Sequence, residues 1–173
     1  MIIGASFIFI VTIARNIQIK VYFLRDDSYS TCLAFVNLIA AAFNIAAYIG
    51  FIILAIFKTA GEGVDQRERD IHFIAALVYY ACSSIYGVIH TILLLRQSQY
   101  PLWLKVLFTV ITVATVTVSI VYGASVFAES SDIYELQWIG VTLTSVYVIM
   151  FAILFHIDPV EDELAAFFCC NFQ

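Results

Sequence analysis

Two histidines lie at opposite ends of one long apolar stretch, Ile71–Leu95, and an imidazole can donate, accept or carry a proton. His72 and His90 are eighteen residues apart, which is about five helical turns, so a helix would place them on one face. Tyr79 and Tyr86 fall within about 40° of that face. We expect these four side chains to form an inward-facing polar stripe that borders any cavity and could contact a lipid headgroup. The alternative is a pair of neutral, hydrogen-bonded histidines close to the membrane surfaces.

Two asparagines form a second candidate site in the preceding apolar stretch. Asn37 and Asn44 are seven residues apart and therefore lie on nearly the same helical face. An asparagine in lipid usually forms a hydrogen bond to a neighbouring helix, and we favour that role. The alternative is a polar lining for a lipid headgroup or an ion.

Catalytic and metal-binding motifs are missing from the sequence. It contains no H-E-x-x-H, G-x-S-x-G or P-loop pattern, and no carboxylate lies inside an apolar stretch. We therefore expect no enzyme activity, no catalytic residue, no metal ligand and no cofactor. The one catalytic alternative is a lipid hydrolase that uses His72 with Asp70 at the membrane face.

The four cysteines form no metal-binding or disulfide pattern, because no CxxC or Cys/His spacing is present. Cys169 and Cys170 adjoin Phe167 and Phe168 near the end of the chain. If this tail is cytosolic, the two cysteines are candidate palmitoylation sites. The alternative is an unmodified tail that packs on the membrane surface.

The elements that must position these residues are five apolar stretches, in a chain that is 63% hydrophobic and only 12% charged. A membrane-spanning helix needs about 20 apolar residues, and four of the stretches are that long. Lipid offers the backbone no hydrogen-bond partners, so each stretch should be helical. We predict an all-α polytopic transmembrane bundle, followed by an acidic tail at 158–173, with spans at about 1–14, 31–57, 71–95, 106–128 and 136–157.

Charge sets the expected partners and orientation. The net charge of −5 excludes nucleic acid as a partner and leaves membrane lipids, or another membrane or cytosolic protein. The predicted loops Arg15–Asp27 and Arg96–Lys105, together with the tail, hold five Lys and Arg residues, against three in the opposite loops. The excess of positive charge predicts a cytosolic C-terminus.

The order of features is similar to the damage-regulated autophagy modulator (DRAM) superfamily, which also holds the Sfk-type phosphoinositide regulators and a GPI-anchor remodelling branch. The likeness extends over nearly the whole chain. It is carried by the basic, Tyr-containing segment Ala14–Tyr22, by Asn44 and Gly50 before Ala55-Ile56-Phe57, by His72 followed by Tyr79 or Tyr80, by His90-Thr91-Ile92-Leu93, and by Gln137-Trp138 after Glu135.

The resemblance implies six transmembrane helices with both termini cytosolic, of which this chain would hold the second to the sixth and lack the first. It also implies a non-catalytic multi-pass regulator of lysosomal or autophagy-linked membrane processes, acting through lipid or partner binding. A plasma-membrane scaffold for phosphoinositide synthesis and a GPI-lipid remodelling factor, at the Golgi or another endomembrane, are the alternatives. The family has an acid–Trp pair where this chain has Gln137-Trp138, which leaves the branch open.

Overall fold

The computed structural model describes residues 2–25, 30–57, 65–128 and 133–159, and the side chains of all of these except 2–8 and 133–134. Every regular element in these ranges is a helix. The helices are α1 (Ile2–Arg25), α2 (Thr31–Ile56), α3 (Gln66–Leu95), α4 (Leu102–Phe127), α5 (Ile133–Ile149) and α6 (Phe151–Ile157). The predicted all-α fold is confirmed.

Four segments of the described helices are long and apolar enough to cross a membrane: Thr31–Ile56, Gln66–Leu95, Leu102–Phe127 and Glu135–Ile157. Their outer faces carry large apolar side chains, such as Leu102 at 75% exposure and Phe127 at 83%. Apolar surface on this scale is unfavourable in water and matches lipid. The chain is therefore an integral multi-pass membrane protein.

Helix α1 differs from its prediction. The first span was expected to end at Ala14, with a loop over Arg15–Asp27, but α1 continues without interruption to Arg25. The loop prediction is therefore wrong from Arg15 to Arg25. The physical reason is that Arg15 is buried against other helices, so its charge does not mark a solvated boundary.

Helix α3 is the centre of the bundle. Half of its most apolar segment is buried, against 22–33% for the other three spanning segments. It packs mainly on α2 and α4, and it approaches α2 closely at Gly50. A methyl group there would lie 3.0 Å from the backbone oxygen of Ala75 and from the backbone nitrogen of Tyr79. Only glycine permits this contact between the two backbones.

The last predicted span is interrupted by one tightened turn at Met150, between α5 and α6. The Ile153 amide donates to the Met150 carbonyl at 3.1 Å, a bond to the third preceding residue. Such 3₁₀-type turns are common where a helix changes course. The turn leaves α6 as a separate short helix that packs against α5 and α1.

Candidate functional site

A fully buried arginine organises one end of the bundle. The Arg15 side chain has 0% exposure and donates hydrogen bonds to residues from three segments of the chain. Its Nε lies 2.7 Å from His90 Nε2 on α3. Its terminal nitrogens reach Tyr100 Oη at 3.2 Å, Gln97 Oε1 at 3.3 Å and the Gln18 side-chain oxygen. We call these five residues the arginine cluster.

The charge of Arg15 is met by neutral groups. Within the described residues the one ion pair joins Arg25 to Asp158, and Arg15 has no carboxylate partner. Gln18, which accepts from Arg15, donates its amide to the carbonyls of Leu154, at 3.2 Å, and Asp158. These carbonyls form the C-terminal end of α6, where a helix carries partial negative charge. The cluster thus holds a net positive charge, offset by oriented dipoles.

The partners of His90 fix its protonation. A guanidinium can only donate, so Nε2 of His90 must accept from Arg15 and the proton sits on Nδ1. Nδ1 then donates to Tyr147 Oη at 2.7 Å, and the Tyr147 hydroxyl donates to the Gly87 carbonyl at 3.2 Å. The imidazole is also enclosed by four aromatic rings, which belong to Tyr86, Phe108, Tyr147 and Phe151.

His72 has a simpler environment at the other end of α3. Its Nδ1 donates to the Phe57 carbonyl at 2.7 Å, and its Nε2 accepts from the Gln137 amide at 3.1 Å. Both ring nitrogens are satisfied by neutral groups. Asp70 is exposed and bonded to Gln66 at 2.8 Å, so the structure does not bring it to His72 as a hydrolase would require.

The predicted inward-facing stripe is confirmed, because His72, Tyr79, Tyr86 and His90 are all buried. The stripe was also expected to border a cavity, and only its two central residues do so. Tyr79 and Tyr86 line a cavity among α1 to α5, whereas neither histidine does. The histidines instead join α3 to its neighbours at the two ends of the stripe. A headgroup-binding role for them stays a prediction.

A cavity lies among the middle segments of α1 to α5. The space open to the centres of water-sized groups is about 50 Å³, enough for about four such groups when one needs roughly 10–15 Å³. Aromatic and small side chains form its wall, with hydroxyls at intervals. The wall includes Phe9, Ala47, Phe51, Ser84, Thr115 and Thr144.

The cavity and the arginine cluster share a wall. Tyr86 and Tyr147 line the cavity, and both rings also contact the His90 imidazole. The polar arginine cluster thus lies directly beside the mostly apolar cavity. This is the arrangement expected of a site for an amphiphilic molecule.

The two asparagines form the interhelical bonds that we favoured. Asn37 Nδ2 donates to the Asn16 carbonyl at 3.0 Å, and Asn44 Nδ2 donates to Thr12 Oγ1 at 2.5 Å. Both bonds join α2 to α1. Asn44 also lines the cavity, whereas Asn37 lies away from it. Their role in packing is confirmed, and any role of Asn44 in binding stays a prediction.

Cys169 and Cys170 lie outside the described residues. Among the residues that are described, no three His, Cys, Asp or Glu side chains come together in a way that could hold a metal ion.

The arginine cluster is the part of the site that sequence reasoning missed. Arg15 and Gln18 were placed in a loop, and Gln97 and Tyr100 in the next cytosolic loop. A signal was present, since Arg15 and Gln18 are three residues apart and follow an apolar run, so a continued helix would align them. Tyr147 carried no comparable signal in its apolar segment.

Fold and site together define a polytopic helical membrane protein with a buried cation beside an apolar cavity. The chain belongs to the Frag1/DRAM/Sfk1/Cwh43P N-terminal domain family, which matches residues 1–157. The match covers all the described helices and favours no single branch. Membership suggests a regulatory membrane protein. No curated protein and no solved structure matches the chain significantly.

Proposed function

We propose that this protein is a non-catalytic regulator of lysosomal or autophagy-linked membranes, and that it acts by binding a membrane lipid in the cavity among α1 to α5. The observation that carries the proposal is the cavity itself, an apolar space inside a membrane bundle with a polar cluster at one end. Family membership supports the regulatory role. The compartment rests on the resemblance to the DRAM branch.

The shape of the cavity favours an acyl chain over a polar solute. Phe9 and Tyr48 stack with their ring centroids 4.6 Å apart on one side, and Phe51 and Tyr79 meet at 5.2 Å. Aromatic walls of this kind suit hydrocarbon. The modest volume suits a segment of one chain and excludes a whole two-chain lipid.

The lipid-binding step is tested with the purified protein in bilayers that contain a phospholipid with a photoactivatable acyl chain. Crosslinks are mapped by mass spectrometry, and we expect them in the α2, α3 and α5 segments that line the cavity. Ala47→Leu fills the cavity and should reduce this labelling severalfold. Ala42→Leu adds the same side chain on the exposed face of α2 and is the matched control. Equal labelling in both variants would refute lipid binding in the cavity.

The cellular role is tested by deletion and rescue. The proposal predicts a lysosomal or endomembrane location and altered autophagic flux on deletion, restored by the natural chain and by Ala42→Leu but not by Ala47→Leu. A plasma-membrane location with altered phosphoinositide levels would support the Sfk-type role instead. Loss of GPI-anchored proteins from the cell surface would support the remodelling role.

A further inference from the structure

Tyr86 lines the cavity and carries a buried, unpaired hydroxyl. The residue is 4% exposed, and its hydroxyl finds no hydrogen-bond partner among the described residues. Buried hydroxyls nearly always have a partner, since an unpaired one loses its bond to water without replacement. The other cavity tyrosine at this end differs, because Tyr147 is bonded to His90, Thr91 and Gly87. Tyr86 therefore has hydrogen-bonding capacity that the chain itself leaves unused.

The electrostatics at this end of the cavity favour an acceptor atom as the missing partner. The Tyr86 ring stacks on the face of the His90 imidazole with centroids 5.9 Å apart, and the Nε2 atom of that imidazole accepts a hydrogen bond from Arg15 at 2.7 Å. Arg15 has no carboxylate partner within the described part of the chain, so its positive potential extends through His90 toward Tyr86. An oxygen that carries negative charge is stabilised here, and a phenol O–H can donate to it.

The cavity extends away from this polar end. Tyr79 lines it seven residues before Tyr86, which is about 10 Å along the axis of α3 at 1.5 Å per residue. Phe51 and Thr144 both contact Tyr79 and therefore line the same part of the cavity. A ligand whose oxygen meets Tyr86 would thus place a hydrocarbon chain along the apolar walls, pointing away from Arg15.

We infer that the cavity selects an acyl chain by its terminal carbonyl or carboxylate oxygen, which accepts a hydrogen bond from the Tyr86 hydroxyl in the positive potential of Arg15. This inference rests on the proposed lipid binding and adds the chemical feature that is recognised. Two sources carry that oxygen, an ester-linked membrane lipid and a free fatty acid.

The test compares three photoactivatable probes with one common chain: a free fatty acid, a phospholipid ester and a hydrocarbon without oxygen. In the natural protein we expect an oxygen-bearing probe to label the cavity about fivefold more than the hydrocarbon, the ratio that one buried hydrogen bond provides. Preference for the acid identifies a free fatty acid as the source, and preference for the ester identifies a membrane lipid.

Tyr86→Phe removes only the unpaired hydroxyl, so the variant should fold with an unchanged or higher melting temperature and lose the preference for oxygen. Tyr22→Phe is the matched control, since its hydroxyl is bonded to Ser98 outside the cavity. It should keep the preference even if it melts earlier.

Two results would overturn the inference while leaving lipid binding intact. They are equal labelling by all three probes in the natural protein, and an undiminished oxygen preference in Tyr86→Phe, each with labelling still sensitive to Ala47→Leu. The comparison of the three probes uses the natural protein, so it does not depend on whether the Tyr86→Phe variant folds. Absence of cavity labelling by every probe would instead defeat the proposed function, and this inference with it.

Discussion

The two ends of α3 carry the same residue type in very different surroundings. His90 is fully buried, bonded to a cation that lies 75 residues earlier in the chain, and enclosed by four rings. His72 bonds to one backbone carbonyl and one amide side chain close to the end of the helix. The contrast shows that the role of a histidine in a membrane helix depends on whether its hydrogen-bond partners are charged or neutral.

The two ends also differ in how closely neighbouring side chains pack against a glycine. At the His72 end, a methyl on Gly140 would lie 2.5 Å from the Tyr80 ring, which is anchored by its hydroxyl to the Gln137 carbonyl at 2.6 Å. At the His90 end, a methyl on Gly87 would meet its nearest neighbour, Thr112, at 3.8 Å. The packing around Gly140 is therefore tighter than the packing around Gly87.

The largest effect is expected from removing the cation. Arg15→Met would leave the acceptors of Gln18, Gln97 and His90 buried and unpaired, and should lower the free energy of unfolding by about 3 kcal/mol. Denaturant titration in detergent micelles measures the change. Arg96→Met removes an exposed arginine from the end of α3 and should change little. Equal effects of the two substitutions would show that Arg15 does not organise this end.

The two histidines can be compared directly. His90→Phe keeps the aromatic packing but leaves the charged Nε–H of Arg15 without an acceptor. It should lower the free energy of unfolding by about 2–3 kcal/mol. His72→Phe loses two bonds near the end of the helix, where water can replace them, and should cost about 1 kcal/mol. Thermal unfolding of both variants in the same detergent gives the difference. A larger loss for His72→Phe would reverse the comparison.

For the glycines, the substitution at the His72 end should be the more destabilising one, which is the opposite of the order expected for the histidines. Gly140→Ala forces a methyl into the anchored Tyr80 ring and should destabilise by about 1–2 kcal/mol. Gly87→Ala fits without close contact and removes the entropy penalty of a helical glycine, so it should be neutral or stabilise by up to about 1 kcal/mol. Both are read from melting temperatures. Destabilisation by Gly87→Ala alone would mean that the space beside Thr112 is too small for a methyl group.

The smallest effect is expected at the surface beside the arginine cluster. Asp158 bonds to Arg25 at 3.3 Å and to Gln99 at 2.9 Å, but the arginine is half exposed. Asp158→Asn should therefore cost less than about 1 kcal/mol, and added salt should reduce the difference from the natural chain. Unfolding at low and at high salt measures it. A large, salt-independent loss would assign Asp158 to the buried network.

Much of the fold could be predicted because lipid leaves the backbone few choices. Long uncharged stretches indicate helices, and the eighteen-residue spacing of His72 and His90 correctly predicted a shared buried face. The same reasoning gave a wrong helix end at Arg15. A charge after an apolar run usually marks a helix boundary, and the partners that bury this arginine are distant in sequence. Gln97 and Tyr100 lie in the connection between α3 and α4, where no periodicity orients a side chain. The cavity depends on the fit of five helices and leaves no pattern in any one of them.

The burial of Arg15 has a consequence for the order in which the chain is made. Helix α1 reaches the membrane before its distant partners exist, because His90 follows Arg15 by 75 residues and Tyr100 by 85. During that interval Gln18 is the only member of the arginine cluster beside Arg15, and an arginine in a membrane helix opposes insertion, by about 2.5–3.5 kcal/mol at the helix centre and by less toward its ends. We therefore expect the insertion of α1 to be completed only when α3 and α6 are present. Chains truncated after α2 should insert α1 less efficiently than the full chain, as measured by protease protection during cell-free synthesis with membranes.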